Sequence, residues 1–332
     1  MKAWAIKNYG KNSKLELLEL ARPVPEADEV LIKIKAASLN PVDFKIKEGG
    51  LRRIINYPLP LILGNDCAGT VEATGKDVTG FTAGDEVYCR VDKHKIGTLA
   101  EYVTVRASSV ARKPRTLSFE EAASIPLVGL TSWQALLTVG KLSAGKKVFI
   151  PAGSGGVGSI AIQIAKHVGA YVATNTSGRN LQFVQGLGAD QVIDYTKEDF
   201  SQTLRDFDLV FDTMGGETQR KSLEVLGPGG VIVSIVGPPT PEFAAEEGLG
   251  PLVKLGAFFL SDRLRRRCRR RGLGYHFLFM RPSGEELEEL GALLDQGKLR
   301  PVVDRIYPFS KADEALSYLE LGRARGKIVV SW

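Results

Sequence analysis

Cysteine is scarce in this chain. Its 332 residues include three, Cys67, Cys89 and Cys268, too few and too scattered for a disulfide framework or a four-cysteine zinc site. A reduced cytoplasmic interior is therefore the expectation. No apolar run reaches the roughly 18 residues that a membrane-spanning helix needs, so no span is expected. The opening Met1-Lys2-Ala3-Trp4-Ala5-Ile6-Lys7 has no apolar stretch leading to a small-residue cleavage site, which leaves secretion unsupported. Acids are missing from one long stretch: no Asp or Glu occurs between Glu121 and Asp190. The net charge of +6 is mostly one local feature. Arg263, Arg265, Arg266, Arg267, Arg269, Arg270 and Arg271 carry seven positive charges, and without them the balance would be −1.

What is present is ordinary for a globular protein, with 44% hydrophobic and 25% charged residues, and the length suggests two domains. The first third is β-rich. Val30–Ala36 alternates apolar and charged residues, as a half-buried strand does. Thr70–Gly75, Asp85–Cys89 and Ala100–Val105 are further short strands set off by turn residues, together suggesting a compact barrel-like β domain. Near residue 118 the pattern changes. Ser118 followed by Glu121 forms a capping box, and helical periodicity runs from Ala122 to Val139. Strands at Lys147–Ala152, Ala170–Thr174, Gln191–Asp194, Leu209–Asp212 and Val231–Val236 then alternate with helices at Val157–Val168 and Asn180–Gly186. That order predicts an α/β fold with a doubly wound parallel sheet. Tyr275–Met280 is a candidate sixth strand, Gly284–Gln296 a helix and Lys327–Val330 a closing strand. No internal repeat is visible.

The most informative segment is Lys147-Val148-Phe149-Ile150-Pro151-Ala152-Gly153-Ser154-Gly155-Gly156-Val157-Gly158. Gly153, Gly155 and Gly158 make a G-x-G-x-x-G turn between an apolar strand and a helix, with a second strand following, which is the context that motif needs. Gly153 permits the tight turn, Gly155 lets a pyrophosphate approach the backbone, and Gly158 lets helix and strand pack closely. The helix start offers free N–H groups to the phosphates. After the second strand an NAD site usually carries an acid for the ribose 2′-hydroxyl. Here Thr174-Asn175-Thr176-Ser177-Gly178-Arg179-Asn180 has none. Ser177 and Arg179 suit a 2′-phosphate instead, so NADPH is the expected cofactor. The competing reading of Arg179 is a solvated loop arginine.

Taken together, Ser38-Leu39-Asn40-Pro41-Val42-Asp43, Leu63 through Val71, Gly84-Asp85-Glu86-Val87-Tyr88, Gly97 through Val103, Gly129-Leu130-Thr131-Ser132, the glycine turn, Leu187-Gly188-Ala189-Asp190 and Gly326-Lys327-Ile328-Val329-Val330 follow one another as in a known family. The chain resembles the zinc-free quinone oxidoreductase branch of the medium-chain dehydrogenase/reductase superfamily along essentially its whole length. The resemblance implies a GroES-like catalytic domain from both chain ends, residues 1–121 and 283–332. Residues 122–282 would be the inserted Rossmann NADPH-binding domain. It further implies a homodimer paired through the Tyr275–Met280 segment. Zinc-dependent relatives carry Cys in the first motif and His-Glu in the second; this chain has Asn40 and Asn65-Asp66 there, and amides are poor zinc ligands. No metal is expected. Cys67, Cys89 and His94 match no known ligand spacing, and Cys67 and Cys89 read as small buried hydrophobes.

Without zinc, an acceptor that already takes hydride readily is favoured: a quinone or an α,β-unsaturated carbonyl. The work is then positioning and hydrogen-bond stabilisation of developing charge. By resemblance, Asn40 and Asp43 line the substrate cleft and Thr131 lies beside the nicotinamide. Asn40 reads as an amide donor or as a turn residue before Pro41; Asp43 reads as catalytic or as a cap on the following helical turn. Gly153, Ser154, Gly155, Gly156, Val157, Gly158, Ser177 and Arg179 are the cofactor-binding candidates. Tyr195 reads either as an adenosine contact or as a tyrosine covering the sheet edge. Phe44 stands where many relatives carry Tyr, so no proton donor stands out; Lys45 and water remain.

The arginine run reads as a helix end, with Leu260, Leu264 and Cys268 on an inward face and Gly272 as a left-handed stop. A solvated basic helix is favoured over contact with nucleic acid or anionic lipid, because aromatics are not interleaved with the charges. The other functions considered are an enoyl-thioester reductase and an NADPH-binding protein that mainly binds RNA or a membrane surface.

Overall fold

The structure, a computed structural model, describes every residue except Arg53. The chain divides into two compact units, Met1–Leu130 with Arg281–Trp332 and Thr131–Met280.

In the first unit, strands from the N-terminal and C-terminal segments share one seven-stranded sheet. Its central strand Glu29–Leu39 pairs antiparallel with Asp66–Thr74, with Tyr102–Arg106 and with the C-terminal strand Lys327–Ser331. The alternation seen at Val30–Ala36 is therefore real, and it belongs to an 11-residue strand buried on most positions. A smaller three-stranded sheet holds Lys2–Ile6, Glu16–Glu19 and Leu61–Ile62. The central strand ends at Leu39, and helix α1 (Pro41–Lys47) begins at once, with proline at its first position, where its missing N–H costs nothing.

Helical periodicity from Ala122 to Val139 is not one helix. Pro126 lacks an N–H and starts a new element, so Phe119–Ala123 stands apart from helix α2 (Pro126–Trp133). A widened π turn, Gln134–Val139, follows α2.

The second unit is the parallel sheet. Its strands are β1 (Lys147–Ile150), β2 (Tyr171–Thr176), β3 (Gln191–Asp194), β4 (Phe207–Asp212), β5 (Leu226–Ser234) and β6 (Gly274–Phe277). The spatial order is β3-β2-β1-β4-β5-β6, so the winding reverses beside β1. Helix α3 (Gly156–His167) follows β1, and the 20-residue helix α4 (Pro251–Arg270) precedes β6. The expected sixth strand exists, shortened to four residues, and pairs parallel with β5. Gly272 takes φ +66 after α4, as a helix stop requires. One expectation for α4 fails: Cys268 is buried and Leu264 packs against the core, but Leu260 is 68% exposed.

Candidate cofactor and substrate sites

In open α/β sheets, ligands bind beyond the carboxyl ends of the strands, where the strand order reverses. Here the turn after β1 occupies that position. Ala152 takes φ +56, a left-handed conformation unusual for a residue with a Cβ. Its N–H donates to Asn175 Oδ1 at 2.9 Å, and the Gly153 N–H donates to the Asn175 carbonyl at 3.1 Å. Ser154 Oγ accepts from Thr176 Oγ1 at 2.9 Å and from Asn180 Nδ2 at 3.2 Å. The glycine turn is thus laced to the end of β2, a link local sequence did not reveal.

The two later glycines of the motif differ in kind. A Cβ on Gly158 would lie 2.4 Å from the Ala152 carbonyl oxygen and 2.8 Å from Gly153 Cα, whereas one on Gly155 would meet only the Ala152 oxygen, at 3.4 Å. Protein packing demands the glycine at 158. At 155 it does not, and the bare backbone leaves room for something else. Helix α3 starts after Gly155 with no side-chain cap, so its first N–H groups suit an anionic ligand. Gly156 and Val157 continue that start, and the Val157 carbonyl accepts from Ser132 Oγ at 3.3 Å. Thr131, next to Ser132, is buried. These residues fit a dinucleotide pyrophosphate.

An open cavity of about 510 Å³ lies beside the turn, lined in part by Ala152, Asn175, Tyr195 and Met214. Tyr195, next after β3, is 59% exposed and lines this cavity. In the same lining Lys221 bonds Asp199 at 2.7 Å and holds that carboxyl down at about 2. Ser177 is half-buried, while Arg179 is exposed on the turn Gly178–Asn180 and makes no ion pair among the described residues. Sequence reasoning missed one acid nearby. Strand pairing sets Asp194 opposite Thr176, and a Cβ on Gly178 would come 2.8 Å from Asp194 Oδ2. Asp194 is buried, and the Thr196 hydroxyl and N–H hold its carboxyl below the usual range.

The first unit gathers Asn40, Asp43, Asn65, Asp66, Arg90 and Lys327, all nearly inaccessible to solvent. Asp43 accepts from Asn40 N at 2.7 Å, Gly64 N at 3.1 Å and Asn65 Nδ2 at 2.7 Å, so it braces the start of α1 against the Gly64-Asn65 loop. Burial nevertheless pushes its carboxyl up to about 6. Asp66 accepts from Ser38 Oγ at 2.7 Å, Asn40 Nδ2 at 3.0 Å and Leu127 N at 3.1 Å. Lys327 donates to the Leu39 carbonyl at 2.9 Å and to Asn40 Oδ1. The Asn40 amide is held at both ends, and the same residue is the N-cap of α1, directly before Pro41, with its N–H donated to Asp43. Lys45 is exposed.

These donors do not suit zinc. The positions that carry Cys and His-Glu in zinc-dependent relatives hold an amide bonded to a buried ammonium and a carboxylate that already accepts three hydrogen bonds. A divalent ion there would face Lys327 at close range in a low-dielectric interior. Cys67 and Cys89 face each other across paired strands with sulfurs 3.7 Å apart, fully buried, and this contact together with burial raises the Cys67 thiol well above its ordinary range. His94 is exposed.

Comparison with known proteins agrees with this architecture. Residues 26–115 match the family described as "Alcohol dehydrogenase GroES-like domain", and residues 187–330 match "Zinc-binding dehydrogenase". The chain is 38% identical to the mitochondrial NAD(P)H oxidoreductase RTN4IP1 of Danio rerio, covering 100% of this chain and 91% of that protein. It is 40% identical to the 2-methylene-furan-3-one reductase of Solanum lycopersicum, covering 99% and 79%. Among solved structures, the quinone oxidoreductase from Coxiella burnetii is 34% identical, with a TM-score of 0.84 over 100% of this chain and 99% of that one. The chain belongs to the medium-chain dehydrogenase/reductase superfamily of oxidoreductases. Within it, the chain is a member of the zinc-free quinone oxidoreductase branch, and its cofactor is a nicotinamide dinucleotide.

Proposed function

We propose that the protein is an NADPH-dependent reductase that delivers hydride to a quinone or to the β-carbon of an α,β-unsaturated carbonyl, without zinc. The observation that carries the reading is the turn Gly153–Gly158, whose Gly155 is left bare by the protein's own packing. Of the relatives named above, one is a 2-methylene-furan-3-one reductase and another a quinone oxidoreductase. A conjugated acceptor spreads the arriving charge, so hydrogen bonds suffice where an isolated carbonyl would call for a Lewis acid.

The bound dinucleotide would supply the hydride. Gly153, Ser154, Gly155, Gly156, Val157 and Gly158 would cradle its pyrophosphate, Tyr195 its adenosine end, and Thr131 would lie by the nicotinamide. Asn40 and Asp43 would shape the substrate side from the catalytic domain, residues 1–121 and 283–332, with 122–282 as the NADPH-binding domain. The bonds of the Asn40 amide to Asp66 and Lys327 would fix its orientation as the amide on the substrate side. The active form would be a homodimer joined through the Tyr275–Met280 segment. The test is an NADPH-oxidation screen over quinones, enones, enoyl thioesters and simple aldehydes, with and without a chelator. Turnover of quinones and enones that a chelator leaves intact is expected. Alcohol dehydrogenase activity with no quinone or enone turnover would overturn the proposal.

Preference for NADPH over NADH is part of this proposal and rests on Ser177 and Arg179. Charge-assisted hydrogen bonds contribute about 1.5–3 kcal/mol, and the exposure of Arg179 sets its share at the lower end. Arg179→Ala should therefore weaken NADPH roughly tenfold and leave NADH unchanged, measured by fluorescence titration of both. Equal wild-type affinity for the two cofactors would sink it.

A further inference from the structure

Helix α4 is built inside out. Its inward stripe consists of small side chains: Ala257, Ser261 and Cys268 are buried, with Leu264 packed between them and the sheet core. Its large apolar side chains face water. Residues 251–256 are all exposed, Leu252 is 83% exposed and Phe259 68%, and Leu255, Phe258 and Leu260 are exposed beside them. Single exposed leucines need no explanation, but a contiguous apolar patch does. A helix that served only its own unit would turn these residues inward.

The same helix carries charge in an equally ordered way. Lys254 and seven arginines stand on residues 251–271 against one acid, Asp262. Arg265 pairs with Glu242, and Arg267 and Arg271 both pair with Glu224. Those three are spent on the protein. Among the described residues, Arg266 meets only Asp262 of its own helix, and Arg263, Arg269 and Arg270 make no ion pair. Leu252, Leu255, Phe259, Arg263, Arg266 and Arg270 follow one another at helical spacings of three and four, so they lie along one outward line. The line is apolar over its first half and cationic over its second.

We propose that this outward line docks on an anionic lipid bilayer. Leu252, Leu255 and Phe259 enter the boundary between headgroups and acyl chains, and Arg263, Arg266 and Arg270 meet the headgroup phosphates. Charge complementarity selects this occupant. A second copy on the same line would set arginines against arginines, or against Leu255 and Phe259, and would bring no acid to either. A nucleic acid would satisfy the arginines and leave the apolar half facing water. A bilayer with acidic headgroups supplies both halves of the match. The proposal is independent of the reductase reading, because it concerns a face of α4 that takes no part in the glycine turn.

The test is co-sedimentation of the full chain with vesicles of phosphatidylcholine, alone or with about one third phosphatidylglycerol. Binding to the anionic vesicles only is expected, weakening as salt rises. Each surface arginine contributes about fivefold to such binding, so the triple variant R263Q/R266Q/R270Q should lose on the order of 100-fold. L252Q/F259Q should lose at least tenfold. Neither variant should change thermal stability or the sedimentation coefficient of the free protein. The proposal is overturned if the wild type binds neither vesicle or both equally. It is also overturned if L252Q/F259Q dissociates an oligomer, or if duplex DNA at the same salt displaces the protein from vesicles only through the arginines while L252Q/F259Q binds lipid normally.

Discussion

Lys327→Met should destabilise the protein by about 3–5 kcal/mol, the cost of leaving a buried charge uncompensated. Asp43, Asp66, Arg90 and Lys327 are each at most 5% exposed, so two carboxylates and two cations balance inside the first unit. Methionine keeps most of the volume but leaves the Leu39 carbonyl and Asn40 Oδ1 without their donor. It also leaves one negative charge uncompensated. The pH dependence separates this cause from lost packing. Asp43 already titrates near 6 against an ordinary 3.8. A carboxylate with a raised folded pKa binds its proton more tightly in the folded state, so its contribution to stability falls as pH rises through that window. Lys327 is one of the groups that hold the Asp43 value down. Its removal shifts the window upward, and the penalty of Lys327→Met should shrink as pH falls from 7 towards 5. Urea denaturation at several pH values measures this; a penalty independent of pH would show that packing and not charge was lost.

That network marks the limit of what the sequence conveys. The glycine turn is legible because its parts are neighbours: strand, three glycines and helix occupy one short stretch with its own period. The central strand of the first unit is legible for the same reason, since alternation at Val30–Ala36 is a local pattern. Lys327 and Asn40 are 287 residues apart, and nothing near either predicts the other; only the pairing of Ile328 with Leu39 brings them together. Asp194 escapes notice likewise. The stretch after β2 is free of acid along the chain, but the adjacent strand β3 delivers a carboxylate from the side. In α4 the helical period was visible, yet period alone does not say which face a protein turns to its core. Leu264 and Cys268 face in. Leu260, one turn earlier, faces out because the buried stripe runs through Ser261 and Ala257.

The paired substitutions Gly155→Ala and Gly158→Ala should separate fold from ligand within a single turn. At Gly158 the new methyl would lie 2.4 Å from the Ala152 oxygen and 2.8 Å from Gly153 Cα. Both are backbone atoms with nowhere to rotate, so α3 must shift off β1, at about 1–3 kcal/mol of stability. Dinucleotide affinity should fall with it, because the N–H groups at the helix start move too. At Gly155 the backbone has φ −78 and ψ 172, which any residue adopts, and the methyl meets only an ordinary contact at 3.4 Å. Stability of the free protein should therefore change by no more than about 0.5 kcal/mol. The methyl would instead stand where the pyrophosphate approaches the backbone, and affinity should fall on the order of 100-fold, ~2.7 kcal/mol. Thermal unfolding with and without NADPH reads both effects, since a ligand that binds only the folded state raises Tm by mass action. Gly158→Ala should lower Tm without ligand; Gly155→Ala should keep that Tm and lose most of the rise with NADPH. If Gly155→Ala retained the full rise, the pyrophosphate would not lie on this turn, and the cofactor assignment built on it would fall.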